Sequence, residues 1–325
     1  MLSALPRQRI KRVVPRRPMP RKAMTIAIGV MARDGLVIAA DTEESDGFLK
    51  TTTSKVKLNI RLQADQVAAQ LPDGAVARST AVCAVTGAGT SSLIESLGDR
   101  LVRTGTEFAD QSDDAVIGAI QSVLEPFHRD HVIPFSGWPL QERPDVSLIV
   151  GITNKIQNRL YSTERTLARK CAPVAAVGIG GMMAHGLLRR LGPRIGSMDL
   201  SADDAVSLVA YVLFQVKESV PGCGKLTEMT VLMNGRQIDI PWNVLRNMET
   251  VFIRHARLEA RALLYAFSGD DPNRQKRAEI DLRAAFAAFR KEFEPVEFVS
   301  AASPQEPPDL RETKRGRRSE PPSRG

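Results

Sequence analysis

The segment TIAIGVMARDGLVIAADTEESDGFLKTTTSKVK, Thr25 to Lys57, decides how the rest of the chain is read. Ile26, Ile28 and Val30 alternate with smaller residues, the pattern of a strand. Arg33-Asp34-Gly35 supplies turn chemistry and LVIAA follows as a second apolar run, so the segment predicts a β-hairpin. That second run ends on Asp41, and Lys57 follows sixteen residues later on what the pattern reads as a nearby strand.

Thr25, Asp41 and Lys57 form a set with a definite chemistry. A threonine hydroxyl is a weak nucleophile and needs an adjacent base. The α-amine of a first-residue threonine can serve, because an α-amine titrates at roughly 7.7–8.0. A nearby lysine ammonium disfavours the protonated amine, and a buried aspartate keeps that lysine charged and oriented. The alternative reading is structural: Asp41 ends a strand, and Lys57 is one solvated cation among the chain's 45 Lys and Arg.

The segment resembles the opening of proteasome β subunits and of the peptidase of the bacterial heat-shock two-component protease. With Thr25 counted as first residue and no gap, the family's nucleophile falls on Thr25, its acid on Asp41 and its lysine on Lys57. The resemblance covers about residues 25–240. It implies an α+β fold, a four-layer αββα sandwich of the N-terminal-nucleophile hydrolase type, here followed by a C-terminal helical extension. It places Ser45 and Gly47 in the loop that binds substrate. Thr86 and Gly87 match the strand-to-helix turn TGAG whose backbone N–H groups form the oxyanion hole, a role that needs donors and close backbone approach. The stretch AVGIGGMMAHGLLRRL (176–191) resembles the family's glycine-rich turn and helix. Two positions depart from the pattern: Ile179 stands where the family has a serine, and Glu218, Pro221 and Gly222 stand for its aspartate–serine–glycine trio.

Charge divides the chain. Residues 1–24 hold eight Lys or Arg and no acid, and removing those eight leaves 37 basic against 37 acidic residues. A neutral body makes a nucleic-acid-binding domain an unfavoured reading. Pro6, Pro15, Pro18 and Pro20 break any long helix in this leader. The leader reads as a propeptide removed before Thr25, as a basic arm, or as an extension upstream of a start at Met24. No run of 18 or more apolar residues points to a membrane span. Cys83, Cys171 and Cys223 have neither pairing parity nor metal spacing, which suits a reducing cytoplasm. Cys223, in PGCGK, reads as a reactive thiol or as a small residue in a turn. No cofactor and no metal site is expected.

Further along, TAVCAVT (80–86) reads as a strand, followed by helices carrying Leu93 to Leu101 and spanning about 113–127. Hairpins are predicted at 147–163 and at 229–240, with helices at about 181–191 and 202–219 between them. Leu245, Met248, Phe252, His255, Leu258 and Ala262 predict an amphipathic helix over 242–267. Gly269-Asp270-Asp271-Pro272 breaks it, and a second helix over about 273–294 presents Leu282, Phe286, Phe289 and Phe293. This hairpin either binds a partner subunit or folds back on the body. The units expected are a leader, 1–24; the αββα domain, 25–241; the helical hairpin, 242–296; and a Pro-, Ser- and Arg-rich tail, 297–325, read as disordered.

Three functions compete. The first is a threonine hydrolase acting on peptide or other amide bonds; the second is a weak or inactive ring subunit; the third is an interaction protein using its basic arm. The first is favoured. Its expected partners are an amide substrate and further copies of the chain, a ring being one arrangement, with an unfoldase that the residues do not identify.

Overall fold

A computed structural model describes residues 25–46, 49–62, 79–139, 143–191, 200–267 and 272–292. The leader, Gly47, Gly269-Asp270-Asp271, Phe293 and the tail lie outside the described residues. The chain opens with β1 (Ile26–Met31) and β2 (Leu36–Asp41), the expected hairpin, paired Ala27 to Ala40 and Met31 to Leu36. A short hairpin, β3 (Glu43–Asp46) and β4 (Leu49–Thr52), precedes β5 (Lys57–Leu62) and the long β6 (Ser79–Gly89). Helices α1 (Ser91–Glu107) and α2 (Asp113–His131) follow. The expected end of α2 near residue 127 is too early: the helix continues past Pro126 for more than a turn.

The middle of the chain forms a meander of β7 (Val146–Asn154), β8 (Asn158–Glu164) and β9 (Leu167–Cys171), after which β10 (Val174–Gly178) crosses to pair with β1. Next come α3 (Gly181–Leu191), α4 (Ala202–Ser219), the hairpin β11 (Thr227–Met233) and β12 (Arg236–Asp239), and finally α5 (Trp242–Phe267) and α6 (Pro272–Glu292). Ser201 caps α4 by accepting from the Asp204 N–H at 3.1 Å, and Asp203 and Asp204 complement the positive end of the helix. No described helix is long and apolar enough to cross a membrane.

The strands make two antiparallel five-stranded sheets, in the orders β10-β1-β2-β11-β12 and β5-β6-β7-β8-β9. Strand parity distributes their side chains. Ile26, Ile28 and Val30 join a core with Val206, Val209, Leu213 and Val216 of α4. Ala81, Cys83 and Val85 join another with Leu97, Leu101, Ile120 and Leu124 of α1 and α2. Ala27, Met31, Ile38, Val82, Ala84, Ile149 and Leu160 meet between the two sheets. Both faces of β1 are therefore buried, each large apolar side chain contributing about 1.5–3 kcal/mol. Gly29 lets the sheets meet closely, since a Cβ there would lie 2.7 Å from Leu160 Cδ1.

The first half of α5 folds back on the body. Leu245, Met248 and Phe252 are buried in the α4 core, and the Phe252 ring stands edge-on to Tyr211. Its second half packs against α6, where Leu282 and Phe286 are exposed.

Candidate active site

Sheet register collects the candidate groups. Thr25 immediately precedes β1, whose Ile26 lies opposite Gly178 of β10, and Asp41 at the end of β2 lies opposite Thr227 of β11. Thr25, Asp41 and Gly178 thus share one end of the sheet. Gly178 has φ +95°, and a Cβ there would strike the Thr25 carbonyl oxygen, so the approach requires glycine.

Asp41 is fully buried and accepts four donors. Its Oδ1 receives the Thr25 hydroxyl, the Ile26 N–H at 3.2 Å and the ammonium of Lys55 at 2.9 Å. Its Oδ2 receives the Gly224 N–H at 3.0 Å. Lys55 is only 4% exposed. An ammonium has three N–H donors, and Lys55 directs them at Thr25 Oγ1, Asp41 Oδ1 and, at 2.6 Å, the Glu43 carbonyl. A buried ion pair is tolerated only when its remaining donors and lone pairs are satisfied, and this one meets that condition. Chemically, the cation is set to stabilise negative charge on Thr25 Oγ1 while the carboxylate holds the cation.

The lysine at the threonine is therefore Lys55, and the expectation for Lys57 is corrected. Lys57 Nζ lies 3.2 Å from Glu95 and 4.0 Å from Asp99, on the face of its sheet that α1 covers. Two residues apart on a regular strand would share a face. Lys55, however, belongs to the irregular stretch 53–56 ahead of β5, where that parity does not apply. Lys57 alternates with Asn59 and Arg61, which bond to Thr106 and Asp110 at the end of α1 and just beyond it, so Lys57 belongs to a polar, helix-side row.

The other expected residues divide as follows. Thr86 and Gly87 lie within β6, not in a turn: the strand pairs with β7 as far as Gly89, opposite Val146. Thr86 is fully buried, and its hydroxyl has no hydrogen-bond partner among the described residues. Ala88 packs at the Gly178 position that touches Thr25. Ser45 lies on β3 opposite Lys50. Glu218 is exposed at the end of α4 and forms none of the bonds at Thr25, Asp41 or Lys55. Ile179 is 53% exposed.

Cys223, read from the sequence as a reactive thiol or a small residue in a turn, lies near Asp41 and Lys55. Burial pushes its thiol up to about 12, and the neighbouring Asp41 carboxylate adds to the rise. A thiol raised this far is neutral at physiological pH, which speaks against the reactive-thiol reading.

No family model matches this chain, and no curated protein matches it. Solved structures are. Anbu from Hyphomicrobium sp. strain MC1 superposes with a TM-score of 0.52 at 14% identity, over 76% of this chain and 98% of that one. Anbu, described as an ancestral beta-subunit, from Yersinia bercovieri gives 0.53 at 13%, over 71% and 95%. The helical assembly of the Anbu complex from Pseudomonas aeruginosa gives 0.52 at 14%, over 77% and 99%. These findings correct the resemblance read from the sequence. The structures matched are Anbu proteins, a proteasome-like family distinct from the proteasome β subunits and the heat-shock peptidase. At these identities the likeness carries the fold alone: this chain has the proteasome-like fold of the Anbu structures.

Proposed function

We propose that this protein is a proteasome-like threonine hydrolase that cleaves peptide or other amide bonds, with Thr25 as its nucleophile once residues 1–24 have been removed. One observation carries the reading: the buried Lys55 ammonium donates both to Thr25 Oγ1 and to Asp41. In the proposed reaction the freed Thr25 α-amine takes the hydroxyl proton and Oγ1 attacks the amide carbonyl carbon. The oxyanion collapses, the C–N bond breaks, and the α-ammonium returns the proton to the departing amine. Water then enters by the same route and hydrolyses the ester, regenerating Thr25. Lys55 stabilises Oγ1 as it loses its proton, and Asp41 fixes Lys55 throughout.

The two sheets with α1 and α2 on one outer face and α3 and α4 on the other support a four-layer αββα arrangement over 25–241, with the α5–α6 hairpin as its extension. The helical assembly of the Pseudomonas aeruginosa protein supports a homo-oligomer, and three unpaired cysteines support a cytoplasmic setting. The inactive-subunit reading draws on the exposed Ile179 in place of a serine and on Glu218 standing apart from Thr25. Amide hydrolysis by protein beginning at Thr25, compared with Thr25→Ala, tests the proposal. Turnover only in the former is expected, and equal turnover in both would contradict it.

A further inference from the structure

Lys55 has to be aimed by something other than a strand, since residues 53–56 are irregular. Glu228 on β11 supplies the hold. Its Oε1 accepts from Ser54 Oγ at 2.8 Å, and its Oε2 accepts from the backbone N–H groups of Lys55 at 2.9 Å and Val56 at 3.3 Å. Three consecutive residues thus converge on one carboxylate. Glu228 lies opposite Ala40, one register position from the Thr227–Asp41 pair, while the stretch it grips leads into β5 of the other sheet. The same strand pairing that places Asp41 therefore places the carboxylate that fixes the Lys55 backbone.

We infer that Glu228 is a positioning residue for the proposed reaction, bracketing Ser54-Lys55-Val56 across the two sheets so that the Lys55 ammonium stays within bonding reach of Thr25 and Asp41. The inference rests on the hydrolase reading for its kinetic consequence, but not for its structural one. Glu228 makes none of the hydrogen bonds at Thr25 or Asp41, and it acts through the Lys55 main chain. Hydrogen bonds to a charged acceptor are among the stronger ones in proteins, and two of these three are to backbone donors whose loss would release the segment. A displacement of about 1 Å in a catalytic group can slow a reaction about a hundredfold.

The test uses the full chain and reads Lys55 directly. An amine-acylating reagent is applied to folded protein and labelling is mapped by mass spectrometry, with the more exposed Lys57 as internal reference. Lys55 is expected to be protected in the wild type. Glu228→Ala is expected to raise the Lys55-to-Lys57 labelling ratio by about fivefold or more, as loss of these part-buried hydrogen bonds opens the segment. In Thr25-exposed protein the same variant should lower kcat by about tenfold to a hundredfold with KM little changed. Glu228→Gln keeps an oxygen for the two backbone donors and should restore Lys55 protection and most of kcat. Unchanged labelling in folded Glu228→Ala, or a Glu228→Gln variant as damaged as Glu228→Ala, would overturn the inference. If Glu228→Ala does not fold, Glu228→Gln and Ser54→Ala decide by the same labelling: protection kept in the first and partly lost in the second supports the bracket, and Lys55 exposed in folded Glu228→Gln refutes it. A wild type without turnover contradicts the hydrolase reading alone, since the labelling is independent of activity.

Discussion

Lys55 and Asp41 form a buried ion pair 2.9 Å long, with the lysine 4% exposed and the aspartate fully enclosed. Removing one member leaves the other charged and unpaired, which destabilises by about 3–5 kcal/mol. Lys57, two residues on, makes an ion pair at the surface with a partner that is 66% exposed, a type worth about 0–1 kcal/mol. The two lysines therefore separate cleanly by experiment. Lys55→Ala is expected to abolish amide hydrolysis and to lower the unfolding midpoint in denaturant. Lys57→Ala should leave turnover and midpoint near wild type. The reverse pattern would return the catalytic role to Lys57.

The three cysteines give a second check. Cys83 and Cys223 are buried, and burial raises both thiols, Cys223 to about 12. A raised thiol is neutral below its shifted value, so neither supplies the reactive thiolate at neutral pH. A thiol-alkylating reagent on folded protein should modify the half-buried Cys171 first and spare the other two until denaturant is added. Rapid alkylation of Cys223 in native protein would contradict the described packing.

A pH-dependent contribution to stability is expected where Asp113 opens α2. Its carboxyl lies below the usual 3.8, held there first by Lys170, 2.6 Å away, and then by the Tyr161 hydroxyl. A depressed carboxylate contributes stability that is present above its unfolded value and lost as pH falls through the folded one. The Asp113→Asn variant should therefore be less stable than wild type at neutral pH, and the difference should shrink below about pH 4. Thermal unfolding at neutral and acidic pH measures this, and a gap independent of pH would assign the effect to packing.

Ile179 follows Gly178, the residue in contact with the Thr25 carbonyl, and its side chain is 53% exposed. Ile179→Ser is expected to fold, because the side chain is about half exposed and little buried apolar surface is lost. If a hydroxyl at this position improves the placement of the Thr25 amine, the rate should rise by about tenfold, equivalent to roughly 1.4 kcal/mol of barrier. Steady-state kinetics on Thr25-exposed protein give the answer, and an unchanged rate would remove Ile179 from the site.

Much of the fold was legible because its strands and helices are locally consistent. The β1–β2 hairpin, α1, α4 and the β11–β12 hairpin around Asn234-Gly235 follow from periodicity and turn chemistry. Strands β9 and β10 were not, since Leu167–Cys171 and Val174–Gly178 are short and their burial alternates only weakly. At the site, Thr25 and Asp41 could be located because both sit at strand ends with fixed register. Lys55 could not be found by counting, because an irregular stretch carries no period. Its partner in that stretch, Glu228, lies 173 positions away in sequence. Local pattern has no access to such a contact; only the assembled sheets bring it about.

The most direct measurement is chemical capture of the nucleophile. A peptide β-lactone, whose ring carbonyl is opened by a hydroxyl to leave a stable ester, is incubated with protein beginning at Thr25, and the modified residue is located by peptide mapping. The account expects one ester, on Thr25 Oγ1, absent from Thr25→Ala, and strongly diminished in Lys55→Ala and in protein still carrying residues 1–24. An ester on another residue, or equal labelling of Thr25→Ala, would contradict it.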